Sequence, residues 1–171
     1  VRDIEVNLGV PLAGKRVLLL GAGGATRGAV LPIARAGAAR IAIANRTAAK
    51  AEELAHELAP HLGGVPLAGG GFDALAGEAP FHVVINATSA SLGGEAPAVP
   101  PAAFAPGALA YDMVYGKGLT PFLQMAQAAG TARVADGVGM LVEQAAEAFA
   151  WWRGVRPDTR EALARLTVPL V

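Results

Sequence analysis

The feature that most constrains the fold is a glycine-rich segment, Gly21-Ala22-Gly23-Gly24, placed directly after a short apolar run. The run Val17-Leu18-Leu19-Leu20 predicts a strand that is buried on both faces of a parallel sheet. The residues that follow, from about 25 to 36, predict a helix that ends at Gly37. A strand, a glycine turn and a helix in this order are typical of the loop that binds the phosphates of a dinucleotide.

Each position of this glycine loop has a physical reason. Gly21 allows a tight turn, and Gly23 lets the backbone approach a pyrophosphate, to which the helix N-terminus offers unpaired N–H groups and a positive dipole end. Thr26 stands where a third glycine is usual, and a small residue is tolerated there. We therefore expect Gly21, Ala22, Gly23, Gly24 and Ala25 to bind a cofactor, with an ordinary glycine-rich turn as the alternative.

Short β-like and longer helix-like patterns alternate along the rest of the chain. They predict strands at residues 15–20, 40–44, 63–67, 81–87, 109–115 and 132–135, and helices at 25–36, 47–58, 120–129, 140–152 and 158–166. The glycines at 69–71 are predicted to be a flexible connection, and residues 90–107 a proline-containing loop. These elements predict an α/β fold of the Rossmann type, with a doubly wound, mostly parallel six-stranded sheet of order 3-2-1-4-5-6 and helices on both faces. A single domain over 1–171 is expected, because no repeat or linker divides it.

The end of the second predicted strand indicates which dinucleotide binds. A site for NAD usually presents an acidic residue there, about 20 residues after the glycine loop. This chain has Asn45-Arg46-Thr47 instead, with Lys50 one turn later and no carboxylate before Glu52. A guanidinium can hold a ribose 2′-phosphate through two charge-assisted hydrogen bonds. The sequence therefore favours NADP, bound by Asn45, Arg46, Thr47 and Lys50. The alternatives are a surface arginine and a threonine that only caps the next helix.

Composition argues against several other classes of function. Fourteen basic residues balance fourteen acidic ones, so no basic excess would attract nucleic acid. The absence of cysteine excludes a disulfide scaffold and fits a reducing cytoplasm. The histidines are scattered without ligand spacing, and no metal site is predicted. No apolar run reaches the ~20 residues of a membrane span. The start at Val1 has no signal-peptide character, and we expect a processed chain or a piece of a longer one.

Several further segments together resemble the shikimate dehydrogenase family, although each alone is a weak signal. The segments are Gly21-Ala22-Gly23-Gly24-Ala25 with Arg27-Gly28, Asn45-Arg46-Thr47, Asn86-Ala87-Thr88-Ser89, Tyr111-Asp112-Met113-Val114-Tyr115, Thr120-Pro121-Phe122-Leu123 and Asp136-Gly137-Val138-Gly139-Met140-Leu141-Val142-Glu143-Gln144. Their order and spacing match that family from the glycine loop nearly to the C-terminus. The resemblance implies an NADP-dependent oxidoreductase of aromatic amino-acid biosynthesis, in the chorismate pathway, which reversibly reduces 3-dehydroshikimate to shikimate.

The resemblance also implies roles for individual residues. Asn86, Thr88 and Ser89 would lie along the central part of the cofactor, Met113, Gly137 and Met140 beside the nicotinamide, and Tyr115 and Gln144 against the substrate. Three of these residues also have a purely structural explanation. A strand-ending turn accounts for Asn86 and Thr88 equally well, and core packing accounts for Met113. Tyr115, two residues after Met113 in the predicted fifth strand, is expected to point to the same side as Met113.

The family's catalytic lysine and aspartate belong to an N-terminal substrate domain that this sequence lacks. Lys15, Lys50 and Lys117 match none of the catalytic positions, so we assign no catalytic residue. The expected result is a chain that binds NADP and is nearly inactive alone, because substrate orientation and proton transfer are both missing. Two alternatives are a stand-alone NADP-sensing or interaction module and a nucleotide domain like that of glutamyl-tRNA reductase. The sequence leaves a homodimer open.

Overall fold

The computed structural model of the chain describes residues 1–116, 118–131, 133–167 and 169–170. Lys117 and Ala132, which belong to the predicted Gly-Lys-Gly loop and sixth strand, lie outside these residues. The strands are β1 (Arg16–Leu20), β2 (Arg40–Ala44), β3 (Leu67–Gly70), β4 (Phe81–Asn86), β5 (Phe104–Asp112) and β6 (Arg133–Ala135). The α-helices are α1 (Gly24–Arg35), α2 (Ala48–Leu58), α3 (Pro121–Ala128), α4 (Val138–Arg153) and α5 (Arg160–Leu166). Shorter helical turns lie at Asp3–Asn7, Ala59–His61, Asp73–Gly77, Ala90–Gly93 and Pro101–Ala103.

The six strands form one sheet of order β3-β2-β1-β4-β5-β6, and every neighbouring pair is parallel. The predicted Rossmann-type fold and strand order are confirmed. β1 lies in the middle and is buried on both faces, as its unbroken apolar run requires. Val17 and Leu19 belong to one core, which includes residues of α1 and α2. Leu18 and Leu20 belong to a second core, which includes residues of α3.

The carboxyl ends of these parallel strands lie at one edge of the sheet. The loops that follow β1, β2, β4 and β5 therefore converge there, at residues 21–23, 45–47, 87–89 and 113–115. In open α/β sheets ligands bind at this edge, next to the point where the strand order reverses. Here that point lies between β1 and β4, because successive strands leave the centre in opposite directions. The fold thus brings together most of the residues predicted to bind a cofactor.

The third strand lies later than predicted, at Leu67–Gly70 rather than 63–67. Gly63 and Gly64 have φ values of +62° and +92° and form a turn instead. The glycines that were predicted to be a flexible connection lie in and after β3, and α2 packs very close to the first of them. A Cβ at Gly69 would lie 2.1 Å from the carbonyl oxygen of Ala51 in α2. This contact with a distant helix, rather than chain flexibility, explains the glycine.

Substituting Gly69 with alanine is expected to destabilise the fold by about 2 kcal/mol, because the added carbon meets backbone that cannot move aside easily. Urea denaturation of the two proteins would measure the difference in the free energy of unfolding. Gly77→Ala is the matched control, since a Cβ at Gly77 meets nothing within 4 Å. If both substitutions changed stability equally, the close contact between α2 and β3 would not be the cause.

The fifth strand also differs from the prediction, because it spans Phe104–Asp112 and not 109–115. Its early residues lie within the proline-containing stretch that was predicted to be a loop. It ends at Asp112, whose carboxylate accepts hydrogen bonds from the Val114 N–H at 3.0 Å and from the Thr120 hydroxyl at 2.6 Å. These bonds turn the chain away from the sheet. Met113 and Tyr115 therefore both lie beyond the strand, so the predicted end of the fifth strand was wrong and strand alternation does not relate their two side chains.

Smaller differences concern the helix ends. Thr47 is the N-cap residue of α2, as predicted, but its side chain makes no capping hydrogen bond. α5 begins at Arg160 with Thr159 as its N-cap residue, two residues later than the predicted start at 158. The Asp158 carboxylate instead accepts a hydrogen bond from the Arg160 N–H at 3.0 Å and pairs with the Arg160 guanidinium. No helix in the part of the chain that the structure describes has the length and apolar character needed to cross a membrane.

Candidate cofactor-binding site

The glycine loop connects β1 to α1 at the carboxyl edge of the sheet. Gly21 has a φ of +99°, and a Cβ there would approach the Thr88 Cγ2 to 3.1 Å and the Ala87 carbonyl oxygen to 3.2 Å. Both the backbone conformation and the approach of the loop after β4 therefore require glycine. Thr26, which replaces the usual third glycine, is fully buried and donates a hydrogen bond to the Gly21 carbonyl oxygen at 2.6 Å. This bond closes the turn on its helix side.

Gly23 has a different environment. It is the N-cap residue of α1 in an extended conformation, with φ −98° and ψ −170°. A Cβ at Gly23 or at Gly24 would meet no atom within 4 Å. Neither backbone strain nor internal packing thus explains the glycine at Gly23, and the space in front of it is open to a ligand. The helix N-terminus behind it offers unpaired N–H groups, so the residues fit the pyrophosphate of a dinucleotide.

One cavity of about 850 Å³ lies over this loop, and we call it the glycine-loop cavity. The predicted cofactor residues that line it are Gly21, Ala22, Gly23, Asn45, Arg46, Thr47, Lys50, Thr88 and Ser89. They come from the loops after β1, β2 and β4 and from the first turn of α2. Phe72, Glu95 and the small residues near them form walls that the sequence did not predict. Its volume lies in the range that is usual for ligand-binding pockets.

Two cations of the glycine-loop cavity are available to a ligand. Arg46 and Lys50 are exposed, and neither forms an ion pair within the described residues. Arg27, in contrast, lies in α1, just after the glycine loop, but forms an ion pair with Glu57 of α2. The Asn45 side chain donates to the Thr47 carbonyl oxygen at 3.0 Å and fixes the turn that carries Arg46. The positive charge in this cavity is therefore concentrated after β2.

Asn86 and Thr88 form a hydrogen-bonded turn where β4 ends. The fully buried Asn86 donates to the Asp112 carboxylate at 3.1 Å and accepts from the N–H and the hydroxyl of Thr88 at 3.1 and 2.7 Å. The Thr88 hydroxyl also accepts from the Ala90 N–H at 3.3 Å. Asn86 thus joins the ends of β4 and β5. Its hydrogen bonds with Thr88 form the strand-ending turn that was one of the two alternatives for these residues. Thr88 presents the other side of this turn to the glycine-loop cavity.

A second cavity of about 650 Å³ lies between α1, the end of β5 and α4, and we call it the methionine cavity. Of the predicted residues, Gly24, Ala25, Met113, Met140 and Gln144 line it. Gly24 and Ala25 follow directly on residues that line the glycine-loop cavity, so the N-terminus of α1 separates the two spaces. One extended molecule could occupy both.

Asn86, Gly137 and Tyr115 line neither cavity. Tyr115 is 45% exposed. A Cβ at Gly137 would lie 2.3 Å from the Met113 carbonyl oxygen, and the Gly137 N–H donates to the Val114 carbonyl oxygen at 3.1 Å. The close approach of α4 to the end of β5 therefore suffices to explain this glycine.

Asp3 and Tyr111 are buried residues of the methionine cavity that the sequence did not single out. The Tyr111 hydroxyl donates to the Asp3 carboxylate at 2.6 Å, although 108 positions separate the two residues. Burial raises the pKa of Tyr111 well above its ordinary value, and the neighbouring Asp3 carboxylate raises it further. Tyr111 therefore remains protonated, with its proton directed at Asp3.

Glu143 is a second buried carboxylate, and no role was predicted for it. Asn7 and Thr159 donate to it at 3.1 and 2.9 Å, and Arg2 and Arg156 form ion pairs with it. Burial raises the pKa of Glu143, but the hydrogen bonds from its partners outweigh this effect and hold the pKa below its ordinary value. Glu143 thus stays ionised and joins α4 to the segments on either side of it.

The sequence contains little that would have indicated the buried contacts of Asp3 and Glu143. Tyr111 and Glu143 stand in the segments that carry the family resemblance, but Asp3, Asn7 and Arg2, which contact them, lie in the first seven residues, for which no element was predicted. Asp3 and Asn7 are one helical turn apart, and the Asn7 amide donates to Asp3 at 2.9 Å. That spacing was the only local hint of a helical turn there.

Comparison with known proteins agrees with this geometry. Residues 5–92, more than half of the chain, match the family model described as shikimate / quinate 5-dehydrogenase. Residues 137–166 match that of the shikimate 5'-dehydrogenase C-terminal domain. The shikimate dehydrogenase (NADP(+)) of Dechloromonas aromatica is 58% identical over 171 residues, which are 100% of this chain and 61% of the relative.

Two solved structures extend the similarity to three dimensions. An Ael1 enzyme from Pseudomonas putida superposes with a TM-score of 0.91 at 57% identity, over 99% of this chain and 61% of that one. Shikimate 5-dehydrogenase from Thermus thermophilus, in complex with NADP(H) and shikimate, gives a TM-score of 0.76 at 31% identity, over 96% of this chain and 60% of that one. The chain thus spans about 60% of the length of these relatives. The resemblance inferred from the sequence is confirmed, and the chain belongs to the shikimate/quinate 5-dehydrogenase family.

Proposed function

We propose that this chain is the NADP-binding part of a shikimate dehydrogenase. The whole enzyme would carry out the reversible NADPH-dependent reduction of 3-dehydroshikimate to shikimate, a step of aromatic amino-acid biosynthesis. The observation that carries the proposal is the pair of cations without an ion-pair partner among the described residues, Arg46 and Lys50, beside a glycine loop with open space at Gly23. The relatives named as NADP-dependent shikimate dehydrogenases support the choice of cofactor and reaction.

The phosphates have a defined place in this proposal. The backbone from Gly21 to Ala25 binds the pyrophosphate at the positive end of the α1 dipole. Arg46 pairs with the ribose 2′-phosphate, and Lys50 adds a second charge from the first turn of α2. Asn45 and Thr47 hold this turn and offer polar groups to the same phosphate. An NADP-bound site thus balances the positive charge that the protein leaves exposed.

The nicotinamide end lies in the methionine cavity. Thr88, Ser89 and the turn held by Asn86 support the middle of the cofactor, while Met113 and Met140 pack against the nicotinamide and Gly137 shapes the backbone beside it. When bound, this group would supply the hydride for the reaction. The apolar side chains of the two methionines exclude water from that end of the site.

Tyr115 and Gln144 are the substrate-contacting residues of the proposal. Gln144 lies in the methionine cavity, and the exposed Tyr115 stands where a second domain could close over it. We infer that an N-terminal substrate domain supplies the catalytic lysine and aspartate and the rest of the substrate site. The intact enzyme would work in the cytoplasm, a reducing compartment that suits the cysteine-free part given by this chain.

The test is a binding titration of the purified chain with NADP and NAD, followed by calorimetry or by tryptophan fluorescence. We expect NADP to bind about 100-fold more tightly than NAD, because two cations face only the 2′-phosphate. Adenosine 2′,5′-bisphosphate should compete with NADP for the same site. Equal affinity for the two dinucleotides, or no binding of either, would contradict the proposal.

A further inference from the structure

The N-terminal turn Asp3–Asn7 makes an unusual contact with the walls of the methionine cavity. The Asp3 side chain carries a carboxylate, yet Asp3 is only 6% exposed. One oxygen accepts the Tyr111 hydroxyl of β5 at 2.6 Å, and the other accepts the Asn7 amide at 2.9 Å. A charged group in such a position is costly unless its partners are in place. Asp3 is thus held where three elements meet.

The third element is α4. A Cβ at Gly139 would lie 2.0–2.3 Å from the three carboxylate atoms of Asp3, so the carboxylate lies directly on the helix backbone. Only a glycine at this point lets the turn and the helix meet. Asn7 also donates to Glu143, one turn further along α4, at 3.1 Å. The N-terminal turn therefore contacts α4 at two successive helical turns, at Gly139 and at Glu143.

The residues next to these contacts line the methionine cavity. Tyr111 is two positions before Met113, Gly139 precedes Met140, and Glu143 precedes Gln144. A shift of the Asp3 carboxylate would move the end of β5 and the first turns of α4 relative to each other. The part of the glycine-loop cavity formed by the loops after β1 and β2, which carries Arg46, would not follow, because these loops make no hydrogen bond or ion pair with Asp3 among the described residues.

We infer that Asp3 is a positioning residue, which through Tyr111 and Gly139 sets the end of β5 against α4 and so shapes the site for the nicotinamide half of the cofactor. The inference rests on the proposed function. Its consequence is a thermodynamic coupling: the N-terminal turn and the nicotinamide stabilise each other, while the adenosine half of the cofactor binds independently of the turn.

The experiment compares two ligands of the full chain, NADP and adenosine 2′,5′-bisphosphate, which lacks the nicotinamide half. Tyr111→Phe removes the hydroxyl and keeps the ring, and Asp3→Asn keeps the shape and removes the charge. Both variants should lose about tenfold in affinity for NADP, a coupling of ordinary size, and change at most about twofold for the bisphosphate. Val6→Ala, on the exposed side of the same turn, is the control and should change neither affinity.

A general loss of structure would weaken both ligands together, and that result, or no change in either, would overturn the inference. A measurement on the unaltered chain covers the case in which a variant fails to fold. NADP should slow hydrogen exchange at the amides of Leu8 and Val10, which bond to Asp3 and Ile4, while adenosine 2′,5′-bisphosphate should not. Equal protection by both ligands would refute the coupling. If the unaltered chain binds neither ligand, the proposed function itself fails.

Discussion

Replacing Arg46 with alanine will lower the affinity for NADP by about 100-fold and leave the affinity for NAD within about threefold. Arg46 lines the glycine-loop cavity without an ion-pair partner among the described residues, so its charge is free for a ligand. Two charge-assisted hydrogen bonds to the 2′-phosphate together are worth about 3 kcal/mol, which is about two powers of ten in a dissociation constant. NAD lacks this phosphate and does not make them.

Two further variants make the measurement specific. Lys50→Ala should weaken NADP by about fivefold, because an ammonium on a flexible stem makes no bidentate contact. Arg27→Ala is the matched control, since Arg27 is also exposed and near the loop but is neutralised by Glu57. Isothermal titration of the four proteins with both dinucleotides measures the effects. Equal losses for NADP and NAD in the Arg46 variant would show that it supports the fold rather than reads the phosphate.

The second large effect concerns turnover. With saturating NADP and shikimate, the purified chain should produce NADPH at least ~10⁴-fold more slowly than an intact relative such as the enzyme of Dechloromonas aromatica. General acid–base catalysis contributes about 10²–10⁴-fold and substrate orientation several powers of ten more. The chain contributes neither, if the catalytic lysine and aspartate belong to a substrate domain.

The residues of the methionine cavity support this expectation. Asp3 and Tyr111 are hydrogen-bonded to each other, and the raised pKa of Tyr111 keeps its proton from leaving. Glu143 is held ionised by its partners, which leaves it unsuited to donate a proton. Absorbance at the NADPH band gives the rate, and an NADP titration of the same sample establishes that the protein is folded. A rate close to that of the intact enzyme would refute the proposal that the catalytic lysine and aspartate lie in a separate substrate domain.

The sequence predicted the centre of the fold well because the signals there are local. β1 and β2 each contain an unbroken apolar run, β4 contains the β-branched run Val83-Val84-Ile85, and glycines or polar residues mark the ends of all three strands. The edge of the sheet depends on distant contacts. β3 was misplaced, because its Gly69 is explained by a contact with Ala51 in α2 that the local sequence does not reveal. β5 was misplaced because its end is set by Asp112 and Thr120, whose hydrogen bond no periodicity reveals.

The candidate site divides in the same way. The glycine loop and the triplet around Arg46 each have a local chemical reason, and the structure brings them into one cavity. The role of Asn86 could not be decided from sequence, since a turn and a ligand contact need the same residue; its side chain joins two strands. The Asp3–Tyr111 contact was beyond prediction, because it joins the two ends of a long stretch of chain.

The close contact between Gly69 and Ala51 has a consequence for how tightly a phosphate can be held. Ala51 directly follows Lys50 in α2, so the contact of this helix with the sheet fixes the end of the segment from Arg46 to Lys50 that carries both cations. Little backbone freedom is then left to be lost when a ligand arrives, and ordering a mobile loop would cost about 1–2 kcal/mol per residue. Gly69 of β3 thus makes the segment that carries Arg46 and Lys50 rigid before any ligand binds.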